Sequence, residues 1–384
     1  MRDCRRLRLW FATSVMAVAA TAAAADPVPY PAMSGPLSAN ANPTRFDAGP
    51  LGKIYVTGAL TGLAQYQDHA VPGDDETLAD ISNGQIFVQK TDGPLQFFIQ
   101  AGIYSLPDLG YAYVKATDTT RNLYGVVPQA FIKIAPNSDF SILAGKLPTL
   151  IGAESTFSFQ NMNVERGLLW NQETAVSRGV EANYAHGPVS LSVSLNDGFY
   201  SKRFNWISAS FGYTLDKENS VTLVGGGNVS HTAYSSAATP LLQNNGEIYN
   251  LIFTHTAGPW IIQPYVQYTR AHAEPALGIP RGASTYGGAL LVKYSVSKTF
   301  GLASRAEYIV QSGNPGGATP AVLNGPGSSA WSLTFTPTYQ QGILFVRGEA
   351  SHAGVSDLAP GLGFGSSLNR KSQNRLLVEG GFLF

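Results

Sequence analysis

The chain ends in NRLLVEGGFLF, residues 374–384, with Phe384 as its last residue. Chain ends are ordinarily polar and frayed. Here Leu376, Val378, Phe382 and Phe384 share one parity, with Gly380 between them, while Arg375 and Glu379 fall on the other. Successive strand residues point to opposite faces, so this is a strand with one apolar and one polar face, carried through to the terminus. The pattern recurs upstream. In PVSLSVSLN, residues 188–196, Val189, Leu191, Val193 and Leu195 oppose Ser190, Ser192, Ser194 and Asn196. In WSLTFTPTY, residues 331–339, Trp331, Leu333, Phe335, Pro337 and Tyr339 oppose Ser332, Thr334, Thr336 and Thr338.

The opposite end reads differently. MRDCRRLRLWFATSVMAVAATAAAAD carries Arg2, Arg5, Arg6 and Arg8, then an apolar run from Leu9, then Ala23 and Ala25 in an A-x-A cleavage pattern. Residues 1–25 are therefore expected to be a secretory signal peptide. An uncleaved anchor helix is disfavoured because the run is shorter than the roughly 20 residues a bilayer requires. Cys4, the single cysteine, lies in this segment, so the mature chain has no disulfide, thiolate metal framework or lipoprotein anchor. Removing four of 25 basic and one of 25 acidic residues leaves 21 against 24, a net charge of −3. That balance argues against nucleic acid as a partner.

Only 13% of residues are charged, against roughly 25% in soluble domains, while 41 glycines and 11% aromatics indicate many strands and tight turns. No apolar run after the signal approaches the length of a spanning helix. A secreted chain of this kind fits a closed transmembrane antiparallel β-barrel, which pairs every backbone group between strands and needs apolar residues only at every second position.

Residues 26–52 are Pro-rich and without period, and are expected to run extended in the periplasm. The barrel then occupies 53–384. Sixteen candidate strands can be counted, from 53–66 to 372–384, with fourteen to eighteen as bounds. Alternation alone would also suit a soluble sandwich; the connections decide more. Short turns (TDGP, PNSD, HGP, LDKEN, AGP, SKT, QQG) alternate with long stretches rich in Gly, Ser, Asn and Pro. Short periplasmic turns and long extracellular loops are the asymmetry of outer-membrane barrels. Tyr184, Tyr213, Trp260, Phe300, Tyr339 and Phe384 sit beside short turns or the terminus, where an interfacial girdle is expected. The last strand must then pair with the first to abolish the sheet edges.

Residues 145–200 resemble the central block of the OmpL-like β-barrel porin-2 family: Gly145-Lys146, Pro148, Gly152, Glu154, then Arg178-Gly179-Val180-Glu181 and Asn196-Asp197-Gly198. The resemblance implies a channel in a Gram-negative outer membrane and fixes no solute. Phe382 and the terminal Phe384 also resemble the signal read by the outer-membrane assembly machinery. The Gly usual five residues before the final aromatic is here Glu379, followed by Gly380 and Gly381.

If the apolar parity faces lipid, the other lines a wet lumen. That assigns Arg305, Glu307, Arg347, Glu349, Arg375 and Glu379 to the interior, with Arg347 and Glu379 at similar heights on neighbouring strands. They close the wall as pairs, or they contribute a transverse field across a pore. The longest connection, 147–173, is the third long loop and carries Glu154, Glu165, Arg166 and Glu173 with Phe157, Phe159, Leu168, Leu169 and Trp170. So many apolar residues would be badly solvated outside, so the loop is expected to fold inward; in porins the third loop commonly constricts the pore. Lys146, where this stretch begins, is grouped with the lumen charges.

An enzymatic reading finds little support. Histidines 69, 186, 231, 255, 272 and 352 are scattered singly, and no G-x-S-x-G or H-E-x-x-H string occurs. His231 and His352 are the candidates near the loop side. Gly225-Gly226-Gly227 has no following helix and is no phosphate loop. No metal or cofactor signature stands out. The 359 residues left after the signal cannot supply 22 strands and a plug domain. The sequence thus points to an outer-membrane porin passing small hydrophilic solutes, ions or sugars, as a possible homo-oligomer. The alternatives are a plugged barrel with an adhesive or structural role and a loop-side hydrolase.

Overall fold

The computed structural model describes residues 36–384, so the expected signal peptide lies outside the described residues. A short strand, β1 (Thr44–Asp47), precedes β2 (Lys53–Gln67), β3 (Thr77–Lys90), β4 (Leu95–Tyr104), β5 (Gln129–Ile134), β6 (Phe140–Pro148), β7 (Val176–His186), β8 (Val189–Asn196), β9 (Trp206–Thr214) and β10 (Asn219–Asn228). There follow β11 (Gly246–Ala257), β12 (Trp260–Ala271), β13 (Ala283–Ser295), β14 (Phe300–Gln311), β15 (Ser329–Gln341), β16 (Leu344–Ser356) and β17 (Ser372–Leu383). Each of β2–β17 pairs antiparallel with the next, and β17 returns to β2 from Arg375↔Gln67 to Leu383↔Ala59. The result is a closed sixteen-strand barrel, and no helix among the described residues is long and apolar enough to cross a membrane.

The terminal strand closes this barrel. Phe384 donates its N–H to the Gly58 carbonyl at 3.0 Å and accepts from the Gly58 N–H at 2.8 Å. Below that point β2 outruns β17, and β1 covers the remaining edge from Thr44↔Val56 to Asp47↔Lys53. An uncovered strand edge invites aberrant pairing. The stretch before β1 is therefore not free of the barrel. Pro36 accepts a hydrogen bond from the Lys293 ammonium, the Ser38 backbone pairs with the Gln340 side chain, and Leu37 is buried.

The expected strands differ most at β3, which begins at Thr77 instead of residue 83. A bulge between Thr61↔Asn83 and Gly62↔Ile81 leaves Ser82 unpaired, so Ser82 and Asn83 both turn inward and interrupt the alternation. β5 is shorter than expected, beginning after Pro128, which has no N–H to give to a ladder.

The burial pattern is inverted relative to a soluble protein. Val193, Leu195, Leu333 and Phe335 are half exposed on the outside, while Ser194, Thr334 and Thr336 are buried. Outward aromatics form two belts, one holding Tyr184, Tyr213, Trp260 and Tyr339 near the short turns, the other Tyr249, Tyr268, Tyr286, Tyr308 and Trp331 near the long loops.

Candidate functional site

The connection between β6 and β7, residues 149–175, passes through the barrel interior and is almost wholly buried. Two kinds of contact hold it. On the side of β14–β17 they are ionic. Arg305 on β14 donates to Glu154 at 2.7 Å, to the Glu165 carbonyl at 2.6 Å and to Glu307 at 3.1 Å. Arg347 on β16 donates to the carbonyls of Asn161 and Ser158 and pairs with Glu379, its directly opposite neighbour on β17. Arg375 reaches Glu165 at 2.7 Å, Gln67 at 2.9 Å and the carbonyls of Asp108 and Tyr111.

The wall carboxylates bind the loop backbone. Glu349 accepts N–H bonds from Val164 and Glu165 at 2.6 and 2.8 Å, and Glu307 from Leu168 and Leu169 at 3.0 and 3.2 Å. Glu154 accepts from the Gly167 N–H, and Glu379 from the hydroxyls of Ser82 and Ser158. The bulge at Ser82 thus supplies one of these contacts.

On the side of β3–β6 the contacts are aromatic. Phe159 lies 5.7 Å from Phe87 on β3 and 6.0 Å from Phe157, which meets Tyr104 edge-on at 5.4 Å. Phe87, Phe98 and Phe131 continue the row along β3, β4 and β5. The expectation of a wet, polar wall is corrected here. These rings and Leu143, Ile248, Ile252 and Leu291 all point inward, and every barrel strand contributes buried inward side chains. The loop brings its own apolar residues to cover them.

Of the residues named from sequence, Glu154, Glu165, Arg166, Arg305, Glu307, Arg347, Glu349, Arg375 and Glu379 meet in one network. Arg166 donates to Asp108 at 2.8 Å and to the carbonyls of Thr156 and Pro107, and stacks 4.7 Å from the Trp170 ring. Lys146 does not join them. It shares parity with the outward Ile142 and Ala144, so its ammonium turns to the carbonyls of Tyr124 and Val127. Glu173 sits apart too. It is buried beside Tyr265, and Gly152, at φ +85°, leaves the space that a Cβ would take from its carboxylate.

Asp108 and the rest of the second long loop, 105–128, were not legible, because that loop shows no period and its part in the network comes through distant Arg166 and Arg375. Burial pushes the Asp108 carboxyl up, against the lowering pull of the Arg166 guanidinium. The motif residues Arg178 and Asp197 turn out to be partners, with the guanidinium 2.6 Å from the carboxylate and 3.9 Å from the Tyr200 ring.

His231 meets Glu274 at 3.1 Å in an exposed position, and His352 shares a 2.7 Å bond with Asn374 on the outer face. No serine is among their partners in the described residues. Nor do the described residues contain a group of three or more His, Cys, Asp or Glu side chains able to hold a metal ion.

A family model described as "Putative beta-barrel porin-2, OmpL-like" matches residues 53–384. No curated protein matches the sequence. Among solved structures, the outer membrane channel DcaP of Acinetobacter baumannii is 10% identical, with 86% of this chain and 97% of that one covered at a TM-score of 0.59. OmpF of Salmonella typhi in complex with daunomycin is 12% identical, covering 89% and 100% at 0.58. In-vitro folded OmpT of Vibrio cholerae, in a trimer form, is 12% identical, covering 86% and 99% at 0.57. At these identities the likeness shows the fold alone, a closed antiparallel barrel; the family match over residues 53–384 is what places it in the Gram-negative outer membrane.

Proposed function

Because the chain belongs to the OmpL-like β-barrel porin-2 family, we propose that it is a passive channel for small hydrophilic solutes whose passage is governed by the third long loop. The observation that carries this reading is the ionic network between that loop and β14–β17. Burying charge costs more than filling the same space with apolar side chains, so a barrel serving only as a filled support has no need of it. A lumen that hydrates when the loop yields does. Asp108, Glu154, Glu165, Glu307, Glu349 and Glu379 outnumber the four arginines, which favours a preference for cations. Residues 1–25 act as the export signal, and Phe382 and Phe384 engage the assembly machinery before the seam closes. The trimer form of the similarly folded OmpT supports a homo-oligomer. The reading is of a channel and not of a hydrolase: His231 pairs with Glu274 in an exposed position and His352 with Asn374 on the outer face.

One observation favours a second reading, a plugged barrel working through its outer loops: the inward side chains are buried all round. Single-channel conductance in a planar bilayer separates the two. Ohmic steps with a reversal potential of cation sign support the channel; a folded, heat-modifiable barrel that stays silent supports the plug.

A further inference from the structure

The loop does not divide the lumen evenly. Ring contacts bind it to β3 and β4, the Asn250 and Gln267 side chains bind it to β11 and β12, and the ionic network binds it to β14–β17. Lower down, residues 36–38 lie against the short-turn ends of β13–β16. Pro36 is held by Lys293 and Ser38 by Gln340, and Leu37 joins the buried apolar cluster of Phe345 and Leu383. The inner face that remains, on β7–β10, is built differently.

Below Asn196 and Trp206, the inward positions of β8–β10 hold small side chains, among them Ser192, Ser194, Ser208, Ser210, Thr222 and Gly226, with Val224 the one aliphatic exception. Ser210 and Thr222 are partly exposed, while Arg305, Arg347 and Glu379, at comparable heights above the short turns, are buried. Two groups face this space. Trp206 is 1% exposed and its indole Nε1 has no hydrogen-bond partner; it stands 2.8 Å from where a Cβ on Gly226 would lie. Buried donors are ordinarily paired, so this one is free to donate to a passing solute. Glu181, the one charged side chain facing inward on β7–β10, stands opposite Ser194 and accepts from the Asn183 amide at 2.9 Å. The same register row continues through Ser208 to Gly226, where Ile151 of the loop comes within 3.3 Å of the Cβ position. Lys133 is two strands from Glu181, with Leu143 between them.

We propose that the water-filled path through the barrel follows the inner face of β7–β10, that Glu181 sets its charge preference, and that Trp206 with the neighbouring hydroxyls serves hydroxylated solutes. The inference rests on the channel reading above and adds where in the lumen passage occurs and for what: small cations and uncharged polyols. The carboxylates of the ionic network are bonded to arginines or to loop N–H groups. Glu181 has no ion-pair partner within 4.0 Å among the described residues, so its charge is left to act on the path. A fixed carboxylate beside a narrow aqueous path draws cations. Hydroxyls and an unpaired indole N–H exchange hydrogen bonds with a solute as its water leaves.

Cysteine modification tests this, because the only native cysteine is Cys4, in the expected signal. Ser194→Cys and Ser210→Cys are compared with Ala303→Cys and Ala353→Cys, which are inward and buried on β14 and β16. Heat-modifiable migration shows that each variant is folded, and Ser208→Cys replaces either of the first pair that is not. A positively charged methanethiosulfonate reagent is added to single channels in a planar bilayer, and labelling of the same folded protein is read by mass. The expected result is that the first pair labels several-fold faster than the second and loses conductance on labelling. Equal effects at all four sites, or effects confined to 303 and 353, overturn the proposal. Glu181→Gln should move the reversal potential under a KCl gradient toward zero; an unchanged potential removes Glu181 as the charge of the path. A parent that passes no current yet labels at 194 and 210 removes the channel reading and keeps the hydrated face. A conducting parent blocked only from 303 or 353 does the reverse, and a silent barrel that labels nowhere removes both.

Discussion

The inner face of β14–β17 and that of β3–β6 grip the same loop by different physics. On β14–β17, Arg305, Arg347 and Arg375 bind loop carbonyls and carboxylates, and Glu307 and Glu349 bind loop N–H groups. On β3–β6 the grip is Phe87 against Phe159 and Tyr104 against Phe157, with Phe98 stacked behind Phe87. Ionic contacts are directional, fixing the loop's register residue by residue, and they weaken as water enters. Aromatic packing tolerates sliding and loses its worth only when the rings separate. The loop is thus held residue by residue on one side and by ring packing on the other, a difference that the constriction proposed above would use in yielding without leaving the barrel.

The contrast makes graded predictions. Arg347→Ala leaves Glu379 buried without its cation, which should cost about 3–5 kcal/mol. Its urea midpoint for unfolding in lipid should fall, and its single-channel conductance should rise. An Arg347→Ala variant as stable as the parent would break the ionic half of the comparison. Phe159→Ala should cost about 3 kcal/mol by the same assay, with a smaller change in conductance because the arginine contacts keep the register. If it opens the channel more than Arg347→Ala does, the roles of the two walls are reversed.

Phe384→Ala tests the seam and not the loop. The backbone bonds to Gly58 survive, so the loss should be about 1 kcal/mol of packing, visible as a modest fall in folding yield into vesicles. The smallest effect concerns the clamp above the seam. Burial pushes the Asp68 carboxyl up, but hydrogen bonds from the Asn374 side chain and backbone, with His69 and His352 nearby, outweigh it and leave it below its ordinary value. A lowered acid contributes stability above its unfolded pKa of about 3.9, lost as pH falls through the folded value. Asp68 is a third exposed, so about 0.5 kcal/mol is at stake. Stability should drop slightly below about pH 4 in the parent and not in Asp68→Asn, and a pH profile shared by both would remove the clamp.

Much of this was written in the sequence. Apolar residues at every second position from Leu376 to Phe384 marked the strand, its lipid face and the closure, because a membrane barrel enforces a period of two and lipid enforces which face is apolar; the inward parity need not be polar, as buried Leu377 and Leu383 show. The same rule placed Arg305, Glu307, Arg347, Glu349, Arg375 and Glu379 inside. It also contained the correction for Lys146, whose parity with Ile142 and Ala144 is outward; grouping it with the loop charges overrode that. The bulge at Ser82 hid the start of β3, since it breaks the period that reveals a strand. Inward Phe87, Phe98 and Phe131 contradict a simple wet lumen, and their partners Phe157 and Phe159 lie far along the chain in a loop without period. Contacts of that kind are set by tertiary packing alone. The second loop's part in holding Arg166 and Arg375 was out of reach for the same reason.

The central claim is that the loop from β6 to β7 governs passage through the lumen. Deleting residues 155–165 removes Ser158, Asn161, Val164 and Glu165, and with them the contacts to Arg347, Glu349 and Arg375. Single-channel conductance of this variant, beside that of the parent in the same bilayer and salt, is the most direct test. The account predicts a folded, heat-modifiable barrel whose conductance is several-fold higher; unchanged conductance in an equally folded barrel would contradict it.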